Sequence, residues 1–345
     1  MSAADLARHP LGRALIRHTP HFAAYAARLL ADLLFPAGSP ATKRVEESFA
    51  SVFPERTPAQ ARALARAYRR SMFEYALEQM HLDLLPHGKL VRYCTERVEL
   101  VGGEHFHAAL DRPEPIVVFA PHYGNFAVVS LRIAIEARGK KNVHFFFNPP
   151  EKNAYSPRIQ RLFRILDHGV EAIMNDRAGV VKASRALDRG ALVGIMPDVA
   201  EFDSRALFVP FFRRLAVAMG GTAHLALRSN ATVLPMYAWR VAAGRFVMEV
   251  CPPLPLVRLD SMEESVYATT AAIFRNMEEM IARRPEHWMY WDTFPTRVFG
   301  GVTLPVSPAG WRDQLAALRK IFVAGDSELG TFLEQLANRM ESLQA

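Results

Sequence analysis

The chain has 345 residues, half of them hydrophobic and 22% charged, a globular composition that excludes a disordered or fibrous protein and allows one large domain or two smaller ones. Its two cysteines, Cys94 and Cys251, lie far apart in apolar surroundings and form neither a disulfide framework nor a metal-ligand spacing, so they read as buried thiols of a reducing compartment. A net charge of +7, spread mostly as single arginines without lysine blocks or aromatic interleaving, argues against nucleic acid and for another anionic partner, such as a membrane surface, a phosphorylated cofactor or an acidic carrier protein.

In chain order, residues 1–90 read as helical. The stretch "FAAYAARLLADLLF" (22–35) is too short and too charged, with Arg28 and Asp32, to span a membrane. Its apolar residues gather on one face, which suits an interfacial helix or one packed on the domain. The N-terminus lacks the charged-then-apolar design of a secretion signal. "TPAQARALARAYRRSMFEYALEQM" (57–80) opens with a Thr cap and Pro58 at the first helical position.

From about residue 97 short apolar runs alternate with amphipathic segments. Strands are predicted over 115–122, 142–148, 170–175, 191–198, 205–212, 231–240 and 244–254. Helices are predicted over 125–139, 156–168, 178–190, 220–230 and 262–284. This alternation predicts an α/β fold with a mainly parallel central sheet flanked by helices, and a site at the C-terminal strand ends. The expected organisation is an N-terminal helical segment (1–90), an α/β domain (91–300) and a C-terminal helical extension (301–345).

At "APHYGNF" (120–126) His122 ends a strand that Pro121 terminates, and Gly124 allows a sharp entry into the next helix. An imidazole there suits general-base removal of a proton from a hydroxyl or amine, with helix N–H groups near Gly124 and Asn125 close by for an oxyanion. The structural alternative is a histidine that merely caps the strand end.

The wider chain resembles the bacterial lipid A biosynthesis acyltransferases of the lysophospholipid acyltransferase superfamily, which also include mycobacterial phosphatidylinositol-mannoside acyltransferases. The resemblance covers roughly residues 40–297. It rests on seven ordered segments: 47–75, "APHYGNF" (120–126), "GIMPD" (194–198), "LFVPFF" (207–212), 220–240, "CPPLP" (251–255) and "NMEEMIARRPEHWMYW" (276–291). It implies a His-x4-Asp/Glu motif in which the carboxylate orients the histidine. Here that spacing leads from His122 to Ala127, flanked by Phe126 and Val128. Two further departures are "DTFPTR" (292–297) and Arg213-Arg214 after "VPFF".

Spoiling the carboxylate of a comparable triad costs about 10⁴ in turnover, so another group must take its place if His122 is a base. Asp198, ending the strand "ALVGIMPD", is the foremost candidate on the expected sheet edge, with Glu201 and Asp203 close behind in sequence. A carboxylate at Asp198 that only caps its own turn is the structural alternative, and Asn125 is a second candidate for fixing the tautomer. Arg158, Arg161 and Arg164 form a basic stripe, read either as a solvated face or as a contact for phosphate or an acidic carrier. Arg213, Arg214 and Arg240, near predicted strand ends, are candidates for a phosphate or thioester carbonyl. His105 and His107 read as surface residues, and Trp288, Tyr290 and Trp291 as core. No metal-ligand or dinucleotide fingerprint is present.

The resemblance implies an acyltransferase using an acyl-carrier-protein or CoA thioester as donor substrate, with no bound cofactor. The departures point away from lipid A and toward a specialised metabolite, a carrier-bound substrate or another lipid-like acceptor. The expected location is cytoplasmic, with peripheral contact at the inner membrane. The competing expectation is a non-catalytic relative that binds a lipid or acyl carrier protein.

Overall fold

The computed structural model of the chain describes residues 20–34, 36, 38–153, 156–199, 206–212 and 214–298, and the extension expected at 301–345 lies outside them. Among these residues three helices come first: α1 (Pro20–Leu34), α2 (Pro40–Val52) and α3 (Pro58–Asp83). A hydroxyl followed by proline starts each of the last two, Ser39 before Pro40 and Thr57 before Pro58. At α3 the Gln60 N–H donates to Thr57 Oγ1 (3.3 Å) and the Thr57 N–H donates to Gln60 Oε1 (2.7 Å), a reciprocal cap that fixes where the helix begins.

Then follow α4 (His87–Glu96), β1 (Val98–Val101), α5 (Gly103–Leu110), β2 (Ile116–Phe119), α6 (Phe126–Glu136), β3 (Val143–Phe147) and α7 (Ser156–Leu166). The alternation continues with β4 (Glu171–Met174), α8 (Arg177–Leu187) and β5 (Leu192–Ile195). Next are the hairpin β6 (Ala206–Phe211) and β7 (Arg214–Met219), α9 (Gly221–Ser229), and the strands β8 (Thr232–Ala242) and β9 (Arg245–Val250). The described chain closes with α10 (Met262–Arg283), a 3₁₀ turn (Pro285–His287) and the short α11 (Phe294–Arg297).

Seven strands form one sheet in the order β1-β9-β8-β2-β5-β3-β4. The run from β8 to β4 is parallel, and only the β8–β9 contact is antiparallel, so the mainly parallel sheet is as expected. The strand predicted over 115–122 is shorter because Pro121 lacks the N–H that would continue the ladder. The one predicted over 244–254 stops at Val250, ahead of Pro252 and Pro253. Strands β1 and β7, four and six residues long, had no clear period-2 signal.

Alternating side chains divide the sheet between two cores. Ile116 and Val118 of β2, with Phe145 and Leu192, pack under α6 and α7 beside Leu131 and Leu162. Val117, Phe119 and Val193 face the other way, toward Ala183 of α8, Leu225 of α9 and Phe274 of α10. The early helices join this second core. Phe49 of α2 packs on Trp291 with ring centroids 4.6 Å apart, and the Tyr68 hydroxyl of α3 donates to the Met289 carbonyl at 2.8 Å.

Candidate functional site at the C-terminal strand ends

Strand β2 delivers His122 to the sheet edge through a turn that only glycine can complete. Gly124 has φ +55°, and a Cβ there would run into the Ala238 carbonyl oxygen of β8. Two backbone bonds clamp the turn to the segment after α10: the Gly124 N–H donates to the His287 carbonyl (2.8 Å) and the Met289 N–H to the His122 carbonyl (3.0 Å). The Gly124 N–H is therefore spent, and the oxyanion role foreseen for it does not fit this geometry. Immediately beyond, the first turn of α6 presents the N–H groups of Phe126 and Ala127, which have no partner within their own helix.

Strand β5 brings Asp198 to the same edge. The His122 Nδ1 lies 2.8 Å from Asp198 Oδ1, while Asp198 Oδ2 accepts the His122 backbone N–H (2.8 Å) and the Trp288 Nε1–H (3.0 Å). Arg297 Nη1 donates to the Asp198 carbonyl at 2.7 Å. Burial alone would push the Asp198 carboxyl up, but the facing imidazole and these hydrogen bonds outweigh it and hold the group below its ordinary value. An anionic Asp198 makes Nδ1 the protonated ring nitrogen, and among the described residues nothing takes up the Nε2 lone pair of His122. Phe126 and Tyr290 flank the ring at 5.1 and 5.0 Å, and Arg297 lies over the Tyr290 face.

The position where the resembled motif would carry its acid is filled by core. Ala127 is fully buried in the apolar cluster beneath α6. Asn125 does not reach the imidazole. It caps α6, its Oδ1 accepting from the Val128 N–H (3.3 Å) and Gln79 Nε2 (2.9 Å), and its Nδ2 donates to Glu78 Oε2 (3.0 Å). This corrects the alternative that Asn125 fixes the tautomer.

Arg240 is likewise corrected as a substrate-binding candidate. Its guanidinium is buried between Glu74 (Nη1 to Oε2, 2.7 Å) and Glu78 (Nη2 to Oε2, 2.9 Å, with Nε on Oε1), since two buried carboxylates demand a cation. Arg158 is paired with Asp83 of α3, Arg161 is exposed on α7, and Arg214 opens β7. None of these four arginines lines the cavity described next. Arg213, Glu201 and Asp203 lie outside the described residues.

A cavity of about 590 Å³ opens beside His122 and straddles the sheet edge. Val118, Val129 and Phe145 line it on the α6–α7 side, and Ile195, Leu207 and Leu225 on the α8–α9 side. Its polar rim includes Asn148 and Asn175, hydrogen-bonded to one another at 3.0 Å, and Arg177 at the start of α8. This apolar volume with a few polar groups is of the size that holds a small-molecule ligand. Sequence reasoning had not singled out Arg177 or Arg297, and had read Trp288 and Tyr290 as core. Trp288 is indeed buried core, yet its indole N–H reaches the carboxylate. Only the return of the chain after α10 brings it there, and no local pattern signals that. Among the described residues no group of three or more His, Cys, Asp or Glu could hold a metal ion.

Comparison with known proteins places this geometry in context. The sequence model of the bacterial lipid A biosynthesis acyltransferases matches residues 11–292. The chain is 23% identical over 201 residues to a lipid A biosynthesis acyltransferase of Haemophilus influenzae, a match spanning 58% of this chain and 59% of that protein. It is 25% identical over 244 residues to a phosphatidylinositol mannoside acyltransferase of Mycolicibacterium smegmatis, covering 65% of this chain and 70% of the other. The chain thus spans less than two thirds of the length of the Haemophilus relative.

Proposed function

The chain belongs to the bacterial lipid A biosynthesis acyltransferase family, and from that premise we propose that it transfers an acyl group from an acyl-carrier-protein or CoA thioester to a hydroxyl or amine, with His122 as general base and Asp198 as the carboxylate that orients it. The observation that carries this reading is the pair of half-buried His122 and buried Asp198, 2.8 Å apart, at the mouth of an apolar cavity. Nε2 of His122 takes the acceptor proton as the acceptor oxygen or nitrogen attacks the thioester carbonyl. The tetrahedral oxyanion forms opposite N–H groups of the first turn of α6. Its collapse breaks the C–S bond, and the proton on Nε2 passes to the departing thiolate, so that ester or amide, free thiol and neutral imidazole result.

The acceptor in this reading is lipid-like or a specialised small molecule, with Arg177 the cation on the cavity rim for a phosphate or carboxylate. Peripheral attachment to the cytoplasmic face of a membrane is supported by α1. Its Arg28 pairs with Glu74 and its Asp32 with Arg66 and Arg70 on α3, while Tyr25, Leu29, Leu33 and Leu34 are exposed. No helix among the described residues is long and apolar enough to cross a membrane.

The competing idea of a non-catalytic relative rests on the methyl group at Ala127 and on the substituted "DTFP" segment; the carboxylate of Asp198 beside His122 weighs against the first of these grounds. The test is incubation with acyl-carrier-protein and CoA thioesters and candidate acceptors, following thiol release and acyl transfer by intact mass. Transfer by the wild type and its loss in His122→Ala is the expected result. Equal release by both proteins would refute the base assignment, and no transfer with any donor would favour the binding-only protein.

A further inference from the structure

The segment "DTFPTR" (292–297), one of the departures from the resembled family, is folded with two faces. Trp291, Phe294 and Val298 are buried. Phe294 packs on Trp288 and Trp291, and Val298 forms an antiparallel bridge with Ala216 of β7. Tyr290, Thr293 and Arg297 repeat the same spacing one residue earlier and are less deeply buried. The Arg297 guanidinium is used in three directions on that second face. Its Nε donates to Thr293 Oγ1 at 3.0 Å, its Nη1 donates to the Asp198 carbonyl at 2.7 Å, and its Cζ stands 3.4 Å from the centroid of the Tyr290 ring. A planar guanidinium can donate twice while it stacks on a ring; the point charge of a lysine cannot.

Two of these three partners touch the imidazole of His122. Asp198 lies three residues past the end of β5, beyond the ladder that would hold its carbonyl, and among the described residues Arg297 is the donor that this carbonyl finds. The same residue places its Oδ1 against His122 Nδ1. Tyr290 meets the imidazole with ring centroids 5.0 Å apart and the planes tilted by 58°. The imidazole, the phenol ring and the guanidinium thus follow one another in a row. Arg297 itself does not line the cavity.

We infer that Arg297 is a positioning residue for the His122–Asp198 pair: it fixes both the backbone that carries the carboxylate and the ring that walls the imidazole. Held in this way, the carboxylate keeps the proton on Nδ1 and leaves Nε2 for the acceptor. The inference deepens the acyl-transfer reading and rests on it for the reaction. It also gives "DTFPTR" a part in the site, which weighs against the second ground for a binding-only protein. A misplacement of about 1 Å, even one caused away from the chemistry, costs on the order of 10²-fold in rate. Because Arg297 stands outside the cavity, its removal bears on kcat and spares KM.

The test reads the full chain in two ways. In turnover with a thioester donor, Arg297→Met lowers kcat on the order of 10²-fold with KM little changed. Methylguanidinium, added below denaturing concentrations, restores part of that loss, and Arg297→Lys, which keeps the charge without the fork, stays near the Met variant. Tyr290→Leu removes the ring, lowers kcat in the same direction, and carries the test if Arg297→Met does not fold. The second reading needs no turnover. The ¹⁵N signals of the His122 ring, identified by their loss in His122→Ala, report which nitrogen holds the proton: Nδ1 in the wild type, and a mixture of both in Arg297→Met. An unchanged tautomer in folded Arg297→Met and Tyr290→Leu overturns the inference, as does a wild-type kcat in both or a loss that methylguanidinium leaves unrestored. Tautomers that mix as stated in a protein that turns over no thioester would sink the acyl-transfer reading and leave the positioning role standing.

Discussion

Two charged clusters lie against the same turn, and they are built to opposite ends. On one side of Gly124 stand His122 and Asp198. On the other, Asn125 leads into Glu78, Arg240 and Glu74, and the ion pair of Glu74 with Arg28 ties α1 to this cluster. Both bury their carboxylates, and both mix them with cationic or titratable partners. In the Arg240 cluster three guanidinium nitrogens are matched to carboxylate oxygens, and the group does not line the cavity. In the His122 pair the carboxylate is satisfied on both oxygens while one ring nitrogen keeps its lone pair, and the ring lines the cavity. Burial of charge by itself does not mark a reactive site; an unspent atom with access to a cavity does.

The sharpest way to break this contrast is to disable each cluster and read activity and stability separately. Asp198→Asn keeps the shape but offers Nδ1 a donor or no charge, so turnover is expected to fall about 10⁴-fold, with the folded state retained. His122→Ala removes the base and is expected to cost at least the 10²–10⁴, roughly, that such a group supplies. Arg240→Met should do the reverse. It strips Glu78 of its cation and leaves Glu74 with Arg28 alone, and is expected to destabilise the protein by about 3–5 kcal/mol in urea unfolding, with turnover per folded molecule little changed. A folded Arg240→Met protein as inactive as Asp198→Asn would show that the two clusters are not separable.

Much of this was legible in the sequence, for identifiable reasons. Strands buried on both faces read as continuous apolar runs such as "IVVF" and "ALVGI", so the order of strands and helices from 115 to 250 stood out except for β7. Because β2 and β5 are parallel neighbours, residues that end them emerge at one edge, which is why Asp198 could be put forward as a partner for His122. The arginines failed for the converse reason. Residue type and strand-end position say nothing about what waits across a helix, and Arg240 and Arg158 meet carboxylates of α3 contributed more than 70 residues away in sequence. Trp288 and Arg297 could not be read either, since a single hydrogen bond across 90 or more residues leaves no periodicity behind.

A second histidine extends the contrast to pH. His287 is buried beside this turn, with Nδ1 3.2 Å from the Ser71 hydroxyl, and Glu286 approaches its Nε2 only to 3.9 Å. Burial, reinforced by the charges of Arg240 and Arg284, pushes its pKa down from 6.5 to about 3. The folded protein therefore keeps this ring neutral where the unfolded chain protonates it. Its contribution to stability is complete above pH 6.5 and is lost progressively as pH falls toward about 3. Urea unfolding at stepped pH should show stability declining through that window, and His287→Gln should flatten the decline. Asp198 acts lower, its contribution fading only as pH falls below the ordinary carboxylate value of 3.8 toward its depressed folded one, so the two groups are separable by pH.

The smallest expected effect is the most discriminating. Trp288→Phe keeps an aromatic ring in the core but removes the N–H that holds Asp198 Oδ2, while Tyr68→Phe removes a hydroxyl that holds the very next residue's carbonyl. Each deletes one hydrogen bond to the segment after α10, so their stability costs should be similar, except that the bond to the carboxylate is charge-assisted and worth about 1.5–3 kcal/mol against about 1 for the neutral one. Only Trp288→Phe touches the group that orients His122. It should lower kcat on the order of tenfold with KM unchanged, because a less constrained carboxylate orients the imidazole less well. Tyr68→Phe should leave both untouched. Equal losses of kcat in the two variants would mean that the segment acts only as a strut, and that the orientation of Asp198 is set by the His122 backbone N–H alone.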